Sequence, residues 1–471
     1  MSTRNTTLAL ALLAALSACA LPEPPKPEDY RAEALPGVQV PAQWTAQGEG
    51  SGAVASAWLG TFADPRLEAL VTEAMANNLD LRVAAARVQV ASEYVKLADS
   101  TLYPQVNLLA RGGGKMGGDA SGLEGVGLFA DWELDLWGRV RAERAATTAS
   151  YESVVADTEY ARQSVAALVS KAWFLAVEAT LQQRLAEQAV TATGQLVSLA
   201  EQRERIGKGD GYDTALARAN VESYRDTVEK LGLSREQALR ALEVLVGRYP
   251  AADVEVPAQL APPAGLPPAG LPSELLERRP DVVAAERRIA AAFFGVEEAK
   301  AARLPTIKLT ASGTSLSSDM VVLQDLDQPV WSIGGSLLQP LFNGGALQTQ
   351  VRIRTAEQKQ AIAEYGRIGA RAFAEVEDAL SAESAATRRE EILGRTVAEN
   401  EKALGFAQQR HKVGSGDLRA VAQQQLAMFG SNSALLRVQT ERLVQRVNLY
   451  LALGGGFDAT PAPAPVAQTK E

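Results

Sequence analysis

The stretch Gly127–Arg139, Gly-Leu-Phe-Ala-Asp-Trp-Glu-Leu-Asp-Leu-Trp-Gly-Arg, changes its periodicity partway along and so constrains the whole chain. Upstream of Trp137, apolar Val126, Leu128, Ala130, Trp132, Leu134 and Leu136 alternate with Asp131, Glu133 and Asp135, the period of a strand with one dry and one wet face. Beyond Gly138, Ala161, Val165, Leu168, Ala172, Leu175 and Ala179 step by four and three, the seam spacing of a coiled coil. No Pro or Gly interrupts that run before Gly194, so a strand feeds directly into a very long helix. One apolar face, one acidic face and terminal aromatics fit the wall of a membrane β-barrel, and they also fit a half-exposed strand on a soluble sheet.

The first residues bear on the compartment. Arg4 precedes the apolar run Leu8 to Leu16, which closes in Leu16-Ser17-Ala18-Cys19, a short export signal with a small-residue cleavage site. Cys19 is the single cysteine of 471 residues, so no internal disulfide can form. Its place after Leu-Ser-Ala resembles the lipobox at which bacterial lipoproteins are cut and acylated, which makes Cys19 the expected lipidated N-terminus. By the same resemblance, Ala20 favours sorting to the outer membrane. A net charge of −9 argues against nucleic acid as a partner. No run of eighteen apolar residues follows Cys19, so a membrane crossing is expected as a barrel.

Proline-rich Leu21-Pro-Glu-Pro-Pro-Lys-Pro opens an expected extended arm to about Ala57. Asp64-Pro65 signals a helix start, coiled-coil steps continue to about Ser100, and Val106, Leu108 and Ala110 then alternate ahead of a glycine-rich loop, Gly112 to Gly122. The second half repeats the first. Asp80, Pro104 and Gly112 recur 201 residues later as Asp281, Pro305 and Gly313, and Arg203, Gly207 and Asp210 recur 207 residues later as Arg410, Gly414 and Asp417. The expected divisions are a signal peptide at 1–18, a lipidated arm at 19–57, a first repeat at 58–249, a Pro-rich linker at 250–272, a second repeat at 273–456 and a disordered tail at 457–471. Each repeat carries a strand pair, and four strands are too few to close a membrane barrel, which needs about eight. Three copies supply about twelve, so the expected fold is a mixed α/β membrane protein: a trimeric β-barrel continuous with a long α-helical coiled-coil barrel.

Four motifs, Asn78-Leu79-Asp80-Leu81, Trp132-Glu-Leu-Asp-Leu-Trp-Gly-Arg139, Arg278-Arg279-Pro280-Asp281-Val282 and Pro340-Leu-Phe-Asn-Gly-Gly345, together resemble the TolC-like outer membrane efflux proteins, in the lipoprotein branch that serves resistance-nodulation-division pumps. The resemblance covers Trp58 to Gly454. It implies a homotrimeric channel-tunnel, with its barrel in outer membrane lipid and its helices in the periplasm. It also implies a periplasmic adaptor (a membrane fusion protein) and an inner-membrane transporter as partners. Substrates would pass unchanged, with no enzyme activity and no cofactor beyond the lipid on Cys19.

In that family the helical tips form the gate and the adaptor-docking site. Here they are Gly207-Lys208-Gly209-Asp210 and Gly414-Ser415-Gly416-Asp417. Glycine at least serves to turn the chain there. The family places an Asp shortly after each tip; Asp213 fits in the first half, Ala420 takes its place in the second, and neighbouring Asp417 is the substitute. The usual basic partner is replaced by Gly416, which leaves His411, the single histidine, as the expected partner of Asp213, against a plain reading as a solvated residue near a helix end. Such a pair would tighten in acid.

No Ser/His/Asp or Cys/His set is defensible with one histidine, and Gly113-Gly114-Lys115-Met116 lacks the Ser or Thr of a phosphate loop. The carboxylates are expected on solvated helical faces. Two other functions fit parts of the pattern: an exit duct for type I protein secretion, which shares the architecture, and a poreless periplasmic coiled-coil scaffold, which leaves the strand pairs unexplained.

Overall fold

The computed structural model describes residues 21–46, 57–111, 123–263, 265–318 and 330–457. The signal peptide, Cys19, the Gly112–Gly122 loop and the tail beyond Phe457 lie outside the described residues. The elements run α1 (Pro27–Ala34), a 3-10 turn (Trp58–Phe62), α2 (Pro65–Asn77), α3 (Leu79–Ser100), β1 (Gln105–Arg111), β2 (Leu123–Leu134), α4 (Arg139–Arg205) and α5 (Gly211–Val246). They continue with α6 (Pro272–Arg278), α7 (Pro280–Ala301), β3 (Thr306–Ser318), β4 (Val330–Leu338), α8 (Ala346–Lys412) and α9 (Leu418–Ala452). From α2 onward the order of the first half recurs in the second, and α4 and α8 each have 67 residues.

Two departures from expectation have local causes. The arm is not wholly extended: Pro at the first turn of α1 and an Asp29 carboxylate accepting from the Lys26 amide at 2.8 Å start a helix. The helix expected to run unbroken from Pro65 to Ser100 is cut at Asn78. The Asn78 Oδ1 accepts from the amides of Asp80 and Leu81, capping α3, while its Nδ2 donates to the Leu245 carbonyl at 2.8 Å.

The chain forms two compact units, to which α4 and α8 both contribute. The first comprises the described residues up to Val38, Ala85–Asp157 and Asp281–Gly369. It holds the sheet, an antiparallel meander in the order β1-β2-β3-β4. The alternation read from sequence fixes its register: Val106, Ala130, Ala311 and Ile333 form one row, and Leu108, Leu128, Gly313 and Trp331 the next on the same face. Polar rows lie between them, such as Gln105, Asp131 and Thr310, or Glu133 opposite Lys308. The apolar face is bare, with Trp331 75% and Ile333 91% exposed.

The β2–α4 junction explains the Trp-Glu-Leu-Asp-Leu-Trp-Gly-Arg motif. Glu133 takes a two-point ion pair from Arg139 at 2.9 and 3.1 Å, and Asp135 caps α4 by accepting from the amides of Val140 and Arg141. The indoles of Trp132 and Trp137 donate to the carbonyls of Leu102 and Pro305. Gly138 turns the chain with φ +75°. In the same unit Tyr30 meets Tyr365 edge-on at 5.3 Å, and Gly366 lets the Ala34 carbonyl approach so closely that a Cβ would lie 1.9 Å from it.

The second unit comprises Gln39–Ala84, Thr158–Pro280 and the described residues from Ala370 on. Its core gathers Trp58, Phe62, Leu67, Trp173, Leu242 and Tyr450, with Trp58 stacked on Tyr450 at 5.4 Å. Although α4 has no unbroken run of eighteen apolar residues, it contains an 18-residue stretch apolar enough by composition to cross a membrane. More than half of it is buried, and Val165, Val169, Trp173 and Val177 of α4 belong to this core. Contrary to the sequence reading, not all carboxylates lie on solvated faces. Glu383 and Arg446 are each 1% exposed and pair at 2.6 Å, and buried Glu243 accepts from the amides of Ala252 and Asp253. Arg279 of the Arg-Arg-Pro-Asp motif is buried between Glu375, at 2.7 Å, and the Ala452 carbonyl.

Candidate functional site

Both tips belong to the second unit and are built alike. At the first, Lys208 N–H donates to the Arg203 carbonyl at 2.9 Å and Gly207 takes φ +69°, the backbone-closed end of α4. At the second, Ser415 N–H donates to the Arg410 carbonyl at 3.0 Å and Gly414 takes φ +77°. Gly209 and Gly416 serve closeness instead. A Cβ at Gly209 would lie 3.1 Å from the Arg203 Cβ, and one at Gly416 would lie 2.9 Å from the Arg410 Cβ. Asp210 and Asp417 then cap α5 and α9, accepting from the amides of Asp213 and Arg419.

The structure does not pair His411 with Asp213. The Asp213 carboxylate turns towards α9, where Arg419 Nε lies 3.6 Å away. Arg419 also reaches Asp417 at 2.9 Å and sits 5.5 Å over the Tyr212 ring, so one guanidinium joins both tips through two carboxylates and an aromatic face. Sequence reasoning missed Arg419. Its signal was the repeat itself, since Arg419 stands 207 residues after Tyr212 and occupies the same place beyond its tip.

His411 is 8% exposed, not solvated, and faces α4. Its Nδ1 lies 3.1 Å from the Gly416 carbonyl, which can only accept, and its Nε2 lies 3.3 Å from Arg203 Nη1, which can only donate. These partners select a neutral ring with the proton on Nδ1. The second nitrogen of Arg203 donates to the Lys208 carbonyl, so Arg203 ties the first tip to the second through His411. The tightening in acid expected of an Asp213–His411 pair therefore has no such pair to rest on. Apolar packing beneath the tips comes from Ala200, Ala217 and Leu418.

A four-stranded meander with one bare apolar face and two 67-residue helices, each followed by a glycine-turned tip, are the features that this chain shares with a class of outer membrane channel proteins. The sequence profile described as "Outer membrane efflux protein" matches residues 70–248 and 271–455. The chain is 30% identical to the pyoverdine export outer membrane protein OpmQ of Pseudomonas putida, over 96% of its own length and 97% of that protein's. It is also 30% identical to the cation efflux system protein CusC of Escherichia coli K12, over 94% and 97%. The solved structure of the outer-membrane channel OprN superposes with a TM-score of 0.80 at 27% identity, covering 90% of this chain and 99% of that one. This chain belongs to the outer membrane efflux protein family, whose members are transporters of the outer membrane.

Proposed function

We propose that this chain is the outer membrane channel-tunnel of a tripartite efflux system. It would work as a homotrimer with a periplasmic adaptor and an inner-membrane pump of the resistance-nodulation-division type, and it would be anchored through a lipid on Cys19. The bare apolar face of the four-stranded meander carries this reading. A soluble monomer rarely exposes so continuous an apolar surface, whereas lipid accepts it, and both outer edges of the sheet call for further strands. Three copies of a tandemly duplicated chain would close a barrel of about twelve strands. Substrate passes unchanged, so the reading includes neither enzyme activity nor a cofactor. OpmQ and CusC are named for pyoverdine and cations, small solutes that favour efflux over protein export.

Deleting the gene and measuring accumulation of a fluorescent efflux substrate tests the proposal. Accumulation should rise and return to normal with the wild-type gene. Gly414→Trp or Ser415→Trp, which place bulk on the second tip, should leave accumulation high while the protein reaches the outer membrane. Unchanged accumulation in the deletion strain, with a secreted protein lost instead, would contradict it.

A further inference from the structure

One helical face in the first unit lacks a partner among the described residues, and the chain itself contains a template for what covers it. On α3, Ala86, Val90, Tyr94 and Leu97 fall on one side at coiled-coil spacing. Val90, Tyr94 and Leu97 are 56%, 59% and 62% exposed. Among them stands Arg87, exposed and with no ion pair to any described residue.

The counterpart of α3 in the second half is α7, of the same 22 residues and 201 positions later. The counterpart of α4 is α8, 207 positions later. Within this chain α7 packs beside α4: Arg288 pairs with Asp157, and Arg287 with Glu152 at 3.2 Å. Carried back to the first half, Arg288 becomes Arg87; carried forward, Asp157 becomes Glu364. Both charges are kept in sign. The second pair becomes Ala86 and Lys359 and is not kept, so a single ion pair specifies the register.

We infer that the exposed face of α3 is covered by α8 of a second copy of this chain, with Arg87 of one copy paired to Glu364 of the next. The inference rests on the homotrimeric, tandemly duplicated reading above and deepens it: the contact that α7 makes with α4 inside one chain is repeated by α3 with α8 between chains. Val90, Tyr94 and Leu97 supply the apolar seam and the ion pair supplies the register. Glu364 also pairs with Arg367 one turn along α8, so the incoming Arg87 joins a carboxylate already held towards solvent. A ring built from alternating contacts of the same kind closes without a special seam.

Two differently tagged chains, one carrying Arg87→Cys and the other Glu364→Cys, would be co-expressed with Cys19 retained for its lipid. Membranes would then be treated with a short bismaleimide. The expected product carries both tags, and the doubly substituted chain gives a ladder up to three chains. Arg87→Glu should lower the temperature at which the trimer dissociates in detergent, and Arg87→Glu with Glu364→Arg should restore it. Amine cross-linking of the same membranes separates the two ideas. Trimers without the two-tag product, or the Arg87→Cys chain joined to a different protein, would overturn the seam and leave the trimer standing. Absence of trimers altogether would overturn the reading on which the seam rests.

Discussion

His411 and Glu243 show how single side chains are held by groups that a sequence pattern does not display. The His411 ring bridges Arg203 and Gly416. His411→Ala removes both contacts, so leakage of a small dye through the purified protein in liposomes should exceed that of wild type. Equal leakage of the two proteins would show that the His411 bridge does not hold the tips together. At Glu243, burial alone would push the carboxyl up, yet the Ala252 and Asp253 amides outweigh it and hold it below the ordinary carboxylate range. A depressed carboxyl stabilises above its unfolded pKa, and that stability is lost as pH falls through the folded value. Glu243→Ala leaves two amides unpaired at a cost of about 1–3 kcal/mol, and protease should cut the linker beyond Pro250 faster than in wild type at neutral pH. Equal cutting rates there would show that the carboxylate does not hold the linker.

Among the elements, the ones with strong periodicity were legible and the ones set by tertiary contact were not. The strand-to-helix switch at Gly138, the four strands and the two long helices all follow from alternation and seam spacing. The break at Asn78 did not, because its cause is a carbonyl of α5 far along the chain. Helix α1 was hidden by prolines that read as an extended arm, although Pro27 stands where a helix accepts proline. The tips were legible as turns, through their glycines, while their charge pairing was not, because Arg419 acts across two hairpins. The docking of α1 on α8 depends on Gly366, where any side chain would drive into the Ala34 carbonyl. Gly366→Ala should release the arm, so that limited proteolysis cleaves near Arg31 several-fold faster, while the circular dichroism of the long helices is unchanged. An arm equally protected in both proteins would mean that α1 is held by other contacts.

On the proposed reading the four strands and their apolar face are one third of a barrel, and an isolated copy in lipid would leave backbone groups at two edges unpaired at several kcal/mol each. Native mass spectrometry from detergent should thus give three chains, each heavier than the polypeptide beginning at Cys19 by the mass of its acyl and glyceryl groups. Cys19→Ala should abolish that increment, and persistence of the increment would place the lipid elsewhere. The central claim, that these chains together enclose a pore, is tested most directly by the conductance of purified wild-type protein in a planar lipid bilayer. The account predicts discrete unitary current steps whose frequency rises with the amount of trimer added. Trimers that insert into the bilayer and pass no current under any voltage or pH between about 5.5 and 7.5 would contradict it and leave a scaffold without a channel.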